Sequence, residues 1–227
     1  MTTTLTLVGA ATPDRPSAPP NRLLTCGLIA GPLFVLAFVV EGALRDGYDP
    51  MRHPVSSLAL GPGGWQQVTN FLVCGVLTIL FAIGLRRSLR PGPGALAGPL
   101  LVGVWGLGLL GAGLFATDPV GGYPTAATGD SWHGTLHDLL SVAAFAGLAV
   151  AMLFFGYAFA RRQSPVRAIY SVLSGVALVV LFVLSGLGFG ENSSLMDTAG
   201  LWQRLSIAVG WLWVFLLAAR QRRHSRT

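Results

Sequence analysis

Charge is what this chain has least of. Of its 227 residues, 11% are charged and 52% are hydrophobic. A soluble domain carries about 25% charged residues. Too little charge is present to dress a water-facing surface of ordinary size, which argues against a soluble globular enzyme and against a disordered chain. Lysine is absent, and all 15 basic side chains are Arg. Cysteine is scarce. Cys26 lies near the start of the first apolar run and Cys74 well inside the second. At about 1.5 Å of rise per residue the two differ in depth by roughly 10 Å, beyond the Cα separation of about 7 Å that a disulfide tolerates. Two free thiols serving as small packing residues are expected. No basic stretch precedes an apolar segment at the N-terminus, so residues 1–22, rich in Thr, Ala and Pro, are expected to be a disordered cytoplasmic tail and not a secretory signal.

What is present is a set of six apolar runs, at 23–40, 68–85 (entered from Trp65), 96–116, 139–160, 169–189 and 201–219. Each is near the ~20 residues that a helix needs to cross the hydrocarbon core. Backbone polar groups cannot go unpaired in lipid, so the runs are helices and not strands. The expected class is all-α: a polytopic membrane protein with six transmembrane helices in one bundle over 23–219, closed by a basic tail at 220–227.

The Arg residues orient it. With the N-terminus inside, twelve of the 15 Arg fall in the N-terminal tail, the loops after the second and fourth runs and the C-terminal end, together with one acid, Asp14. The other side holds Arg45, Arg52 and Arg204 with the remaining eight acids. That split predicts both termini in the cytoplasm of a multi-pass cell-membrane protein. The formal net charge of +6 therefore points to membrane lipids as partners and not to nucleic acid, since nothing resembles a groove-reading element. Glycine is abundant, 30 residues or about 13% against a usual ~7%. In membrane helices this predicts close backbone packing.

The outer side carries the chemistry-bearing groups. Loop one reads Glu41-Gly-Ala-Leu-Arg45-Asp46-Gly-Tyr48-Asp49-Pro50-Met-Arg52-His53-Pro54-Val-Ser56-Ser57-Leu58. Pro54 can open a short helix through Leu60, with Gly61 ending it, which would set His53 and Ser57 near the membrane surface. Asp118 follows the third run, where the negative end of the helix dipole would cost about 0.3–1 kcal/mol. Arg204 or a histidine is the expected partner. The stretch opening the fourth run, Asp130-Ser-Trp132-His133-Gly-Thr-Leu136-His137-Asp138-Leu139-Leu140-Ser141, puts His133, His137 and Ser141 on one helix face. A His pair four apart can hold one metal ion, while Gly134 works against a helix just there. Asn70 and Arg204 each lie about one turn into a helix, where a polar group faces the bundle interior. Glu41 and Glu191 end helices at the same level.

Polar groups from all six helices thus converge, and three functions follow. The first is binding of a lipid, small-molecule ligand or partner, with His53, Asp118, His137, Arg204, Asn70 and Glu191 lining the pocket. The second is a metal-dependent extracytoplasmic hydrolase of lipid-like substrates. There His133, His137, His53 and Asp118 would hold zinc or another divalent metal and its activated water, assisted by Asp138 or Ser57. The third is a transporter, disfavoured by the lack of an acid at mid-depth. Nothing in the sequence sets an oligomeric state.

Three stretches carry a family resemblance: His53-Pro54-Val55-Ser56-Ser57-Leu58, Phe115-Ala116-Thr117-Asp118, and a His opening the fourth helix with Arg161 and Arg162 ending it. In these the chain resembles a bacterial membrane family known as domain of unknown function 998, over roughly residues 23–219. The resemblance implies a six-helix integral membrane domain and no established reaction. The Ser, Asp and His set is also similar to that of membrane zinc hydrolases of the alkaline ceramidase and adiponectin-receptor type. Those differ in having seven helices and another order of ligands along the chain, so the likeness is one of chemistry alone.

Overall fold

A computed structural model describes residues 22–89, 95–124, 130–190 and 194–224. Residues 1–21 of the expected N-terminal tail, Arg90, Glu191 and Arg226 lie outside the described residues. The apolar runs become six helices: α1 (Leu24–Leu44), α2 (Trp65–Ser88), α3 (Ala97–Leu114), α4 (Trp132–Arg161), α5 (Pro165–Phe189) and α6 (Ala199–His224). All six are long and apolar enough to cross a membrane. Among the described residues no strand forms. Short 3-10 turns at Val55–Ala59 and Met196–Thr198 complete the connections. The first of these starts after Pro54 and stops before Gly61, whose φ is +68°.

Each helix packs on the next, and α1 returns to α6, so the bundle is a closed ring. Neighbouring ends identify its two faces. The end of α2 meets the start of α1 at Gly84 and Leu23, and the start of α1 meets the end of α6 at Gly27 and Ala218. All the Arg residues described here other than Arg45, Arg52 and Arg204 lie at that end, and every described acid lies at the opposite one.

The centre is aromatic. Phe34, Trp105, Phe145 and Trp211 are all buried. The Trp105 ring meets Phe145 at 5.0 Å and Trp211 at 5.7 Å, and Phe145 stacks on Phe182 at 4.1 Å. Leu36, Leu107, Leu173 and Leu212 face outward and are exposed. A helix apolar on both its inner and outer faces is what a lipid solvent requires. The glycines act at crossings, as expected. A Cβ on Gly75 would fall 3.0 Å from the Gly106 carbonyl and one on Gly106 equally close to that of Gly75, so α2 and α3 touch backbone to backbone. Cys26 and Cys74 are both free.

Several boundaries differ from the hydropathy pattern. α3 stops at Leu114, short of Ala116. α4 begins at Trp132, well before the apolar run, and keeps Gly134 inside it. α6 continues through Arg220, Arg222 and Arg223 to His224. Hydropathy sees only the part of a helix that must be apolar, while hydrogen bonding and caps decide where it ends.

Candidate functional site

Loop one is built around two arginines. Arg45, one turn after Glu41, pairs with its carboxylate at 2.5 Å and donates to the carbonyls of Leu58, Leu60 and Pro62 at 3.2, 3.1 and 2.7 Å. Its five donors gather carbonyls that the short 3-10 turn leaves without helix partners. Arg204, in the second turn of α6, donates to the carbonyls of His53 at 3.0 Å and Gly200 at 2.9 Å and to the Tyr48 hydroxyl. Its guanidinium also lies 5.5 Å from the Tyr48 ring centre and 5.9 Å from that of Phe38. Leu201 N–H donates to the Met51 carbonyl and Val55 N–H to Gln203 Oε1. Four bonds therefore strap loop one onto the start of α6. The Tyr48 hydroxyl donates to the Pro54 carbonyl at 3.0 Å. Burial pushes its pKa up to about 12, against the opposing pull of Arg204.

His53 sits inside this loop. Its Nδ1 accepts from Asp49 N–H at 2.9 Å, and Nε2 meets the Gly121 carbonyl at 3.3 Å. Its ring stacks on Tyr123 at 5.2 Å. Burial holds the ring's pKa below the ordinary histidine value, and the Gly121 carbonyl pulls it back only in part.

Asp118 corrects an expectation. Because α3 ends at Leu114, this carboxylate does not lie on a helix C-terminus. It lies at the start of α4, accepting from Ser131 N–H at 2.8 Å and Ser131 Oγ at 2.6 Å. Negative charge is favourable there, not costly. Arg204 is not its partner, being committed to loop one. Ser131's two bonds hold the Asp118 carboxyl below the usual carboxylate range, helped by the nearby His133 and His137. Gly134 belongs to the same arrangement. Its N–H donates to Ser131 Oγ at 3.0 Å, and a Cβ on it would fall 2.0 Å from Asp118 Oδ2. The glycine expected to weaken this helix instead makes room for the carboxylate that holds its N-cap residue, Ser131.

The two histidines of the H-x-x-x-H pair face the chain leaving α3. His137 Nδ1 bonds the Phe115 carbonyl at 2.9 Å, and His133 Nδ1 lies 3.1 Å from the Ala116 carbonyl and 2.7 Å from Ser131 Oγ. A carbonyl only accepts, so Nδ1 of His137 carries the proton, and in the neutral ring Nε2 is left as an acceptor. Asn70 donates to the Phe34 carbonyl and to Gln67 Oε1, tying α2 to α1. Ser57 is buried with an unbonded Oγ, and Asp138 is exposed. His53 and His133 are thus held in separate hydrogen-bonded clusters. Among the described residues no three His, Cys, Asp or Glu side chains group as a metal ion would need.

Beneath loop one, which caps this end of the bundle, is a cavity of about 60 Å³. His137, Ser141, Ser56, Gln203, Trp105 and Phe34 are among its walls. His137 is 3% exposed and Trp105 is 2% exposed. The Trp105 Nε1–H is buried and has no acceptor, an arrangement that ordinarily costs about 1–3 kcal/mol. The helical spacing brought Ser141 to the face of His137. Ser56, Trp105 and Gln203 were not singled out by sequence. Trp105 sits inside a run that hydropathy reads only as lipid-spanning, and Ser56 stands beside the Ser57 that was chosen. A family described as a protein of unknown function, DUF998, matches residues 28–220. No curated protein and no solved structure matches the chain.

Proposed function

The chain belongs to the DUF998 family, and on that footing we propose that it is a multi-pass protein of the bacterial cell membrane, both termini cytoplasmic, that binds the polar tip of a small lipid-like ligand in the cavity beneath its outer cap. The observation that carries this reading is the Trp105 Nε1–H, a buried donor without an acceptor, on a cavity whose other walls include His137 and Ser141. A ligand carbonyl or hydroxyl would supply the missing acceptor. The volume of about 60 Å³ is that of roughly two waters, far below the ~300 Å³ at which whole-ligand pockets begin. The cavity therefore suits the end of a molecule whose remainder lies between helices or in the bilayer. The orientation rests on the segregation of Arg to one end of the bundle.

Solvent extraction and mass spectrometry of the purified protein test the reading. Wild type is expected to carry a lipid-like molecule at near-stoichiometric amount. Trp105→Phe, which removes the donor, and Ser141→Leu, which fills the cavity, are expected to lose it while remaining folded. Equal retention by both variants would remove this cavity as the site. The metal-dependent hydrolase draws support from one observation: the Nδ1 bonds of His133 and His137 leave Nε2 on each neutral ring as an acceptor, the state in which histidine binds zinc. One equivalent of zinc on the same preparation, lost in His133→Ala/His137→Ala, would transfer the assignment to that chemistry.

A further inference from the structure

The opposite end of the bundle holds a second and larger cavity, of about 460 Å³, between the start of α5 and the end of α6, with Phe159 of α4 as part of its wall. Arg167, Arg220 and Arg223 line it, beside Tyr170 and Ser171. Arg220 is its least ordinary member. The guanidinium lies over the Phe159 ring at 4.5 Å, and its Nε and Nη1 are buried with no hydrogen-bond partner. Arg162 and Arg167 repel it electrostatically. Every described acid is at the other end of the bundle. A partly buried cation among like charges, with unused donors and with no counter-ion among the described residues, is costly unless an anion joins it. Val166 and Leu216 give the groove an apolar flank that opens outward, being 79% and 43% exposed, and His224 also lines it.

We propose that this groove is a site for an anionic glycerophospholipid, whose headgroup phosphate pairs with Arg220, Arg167 and Arg223 while an acyl chain runs along Val166 and Leu216. Arg suits a phosphate because its planar fork bonds two oxygens at once. The apolar flank favours a lipid over a free anion, since phosphate alone would leave Val166 and Leu216 uncovered. Basic pockets between helices at a membrane surface select anionic headgroups in this way. The site is independent of the cavity beneath the outer cap and of the function proposed for it.

Native mass spectrometry and thermal unfolding of the delipidated full chain in detergent test it, with phosphatidylglycerol, phosphatidylcholine and inorganic phosphate added separately. Phosphatidylglycerol is expected to bind and to raise the unfolding temperature, with the other two giving little. Each Arg–phosphate contact at such a surface changes affinity about fivefold, so Arg220→Met is expected to weaken phosphatidylglycerol by at least about that factor. Arg86→Gln, an exposed Arg at the same end outside the groove, should not. Without lipid Arg220→Met should unfold no earlier than wild type, because Nε and Nη1 have no hydrogen bond to lose and an apolar chain can still cover the Phe159 ring. Val166→Glu, at a site open to the outside, sets a negative charge at the groove mouth and should also block binding, which covers the case in which Arg220→Met fails to fold. Equal binding of the two lipids, equal losses in Arg220→Met and Arg86→Gln, or full stabilisation by inorganic phosphate would each overturn the assignment.

Discussion

His53 is fixed in place by loop one and its neighbours. Both ring nitrogens are engaged within the loop, with Asp49 N–H and the Gly121 carbonyl, and the ring is stacked on Tyr123. Its burial lowers its pKa from 6.5. A histidine whose pKa is lower folded than unfolded takes up a proton more readily in the unfolded chain. The stability it confers is complete above about pH 6.5 and is lost as pH falls through that value toward the folded one. Asp118 acts in the same direction further into acid, because Ser131 lowers its carboxyl. The unfolding temperature in detergent is therefore expected to fall as pH drops from about 7.5 to about 5.5, and His53→Gln is expected to flatten that slope. Parallel slopes in the two proteins would assign the effect to another group.

The helices meet at places where no side chain fits, and these differ sharply from one glycine to the next. A Cβ on Gly200 would fall 2.6 Å from the His53 carbonyl and 2.7 Å from that of Pro50, where loop one is strapped to α6. A Cβ on Gly186 in α5 would meet nothing within 4 Å. Gly200→Ala is expected to destabilise by about 1–3 kcal/mol through the forced shift of loop one. Gly186→Ala is expected to be neutral or to stabilise by about 0.5–1 kcal/mol, by the helix preference of Ala alone. Unfolding of both variants in the same detergent checks the contrast, and equal effects would refute close approach as the reason for Gly200. The α3–α4 connection follows a similar logic of space. Gly134 admits Asp118, Asp118 holds Ser131, and His133 and His137 face the carbonyls that α3 leaves behind. The histidine spacing was legible in the sequence as one helix face. What that face meets was not, because the end of α3 falls two residues short of where hydropathy would put it.

Taken as a whole, the molecule is a ring of six helices with its described acids at one end and most of its described Arg at the other. That polarity predicts a sided behaviour in cells. Asp46→Cys, in loop one, is expected to react with a membrane-impermeant maleimide in intact cells. Arg86→Cys, at the Arg-rich end, is expected to react only after lysis. Cys74 is buried and Cys26 half-buried, so the native thiols add little background. The reverse pattern would invert the orientation inferred from charge. The two cavities occupy the two ends. The one near His137 is lined by Trp105, whose buried N–H is unused, and the one near Arg220 has charge and an outward-facing apolar flank.

Helix number, all-α class and family were legible from residue order alone. Long apolar runs have one solution in lipid, and short motifs such as His53-Pro54-Val55-Ser56-Ser57-Leu58 carry a family signature without any fold. The segregation of Arg is equally a property of the one-dimensional string. Tertiary structure decided the rest. Arg204 partners loop one and not Asp118, Asp118 holds the N-cap residue of α4 instead of burdening α3, and Trp105, with a buried unused donor, lines a cavity. Arg220 stands over Phe159 with no described acid near it. Each of these depends on which helix faces which and at what height, and a hydrogen bond a few ångströms long is set by that packing and not by composition or spacing.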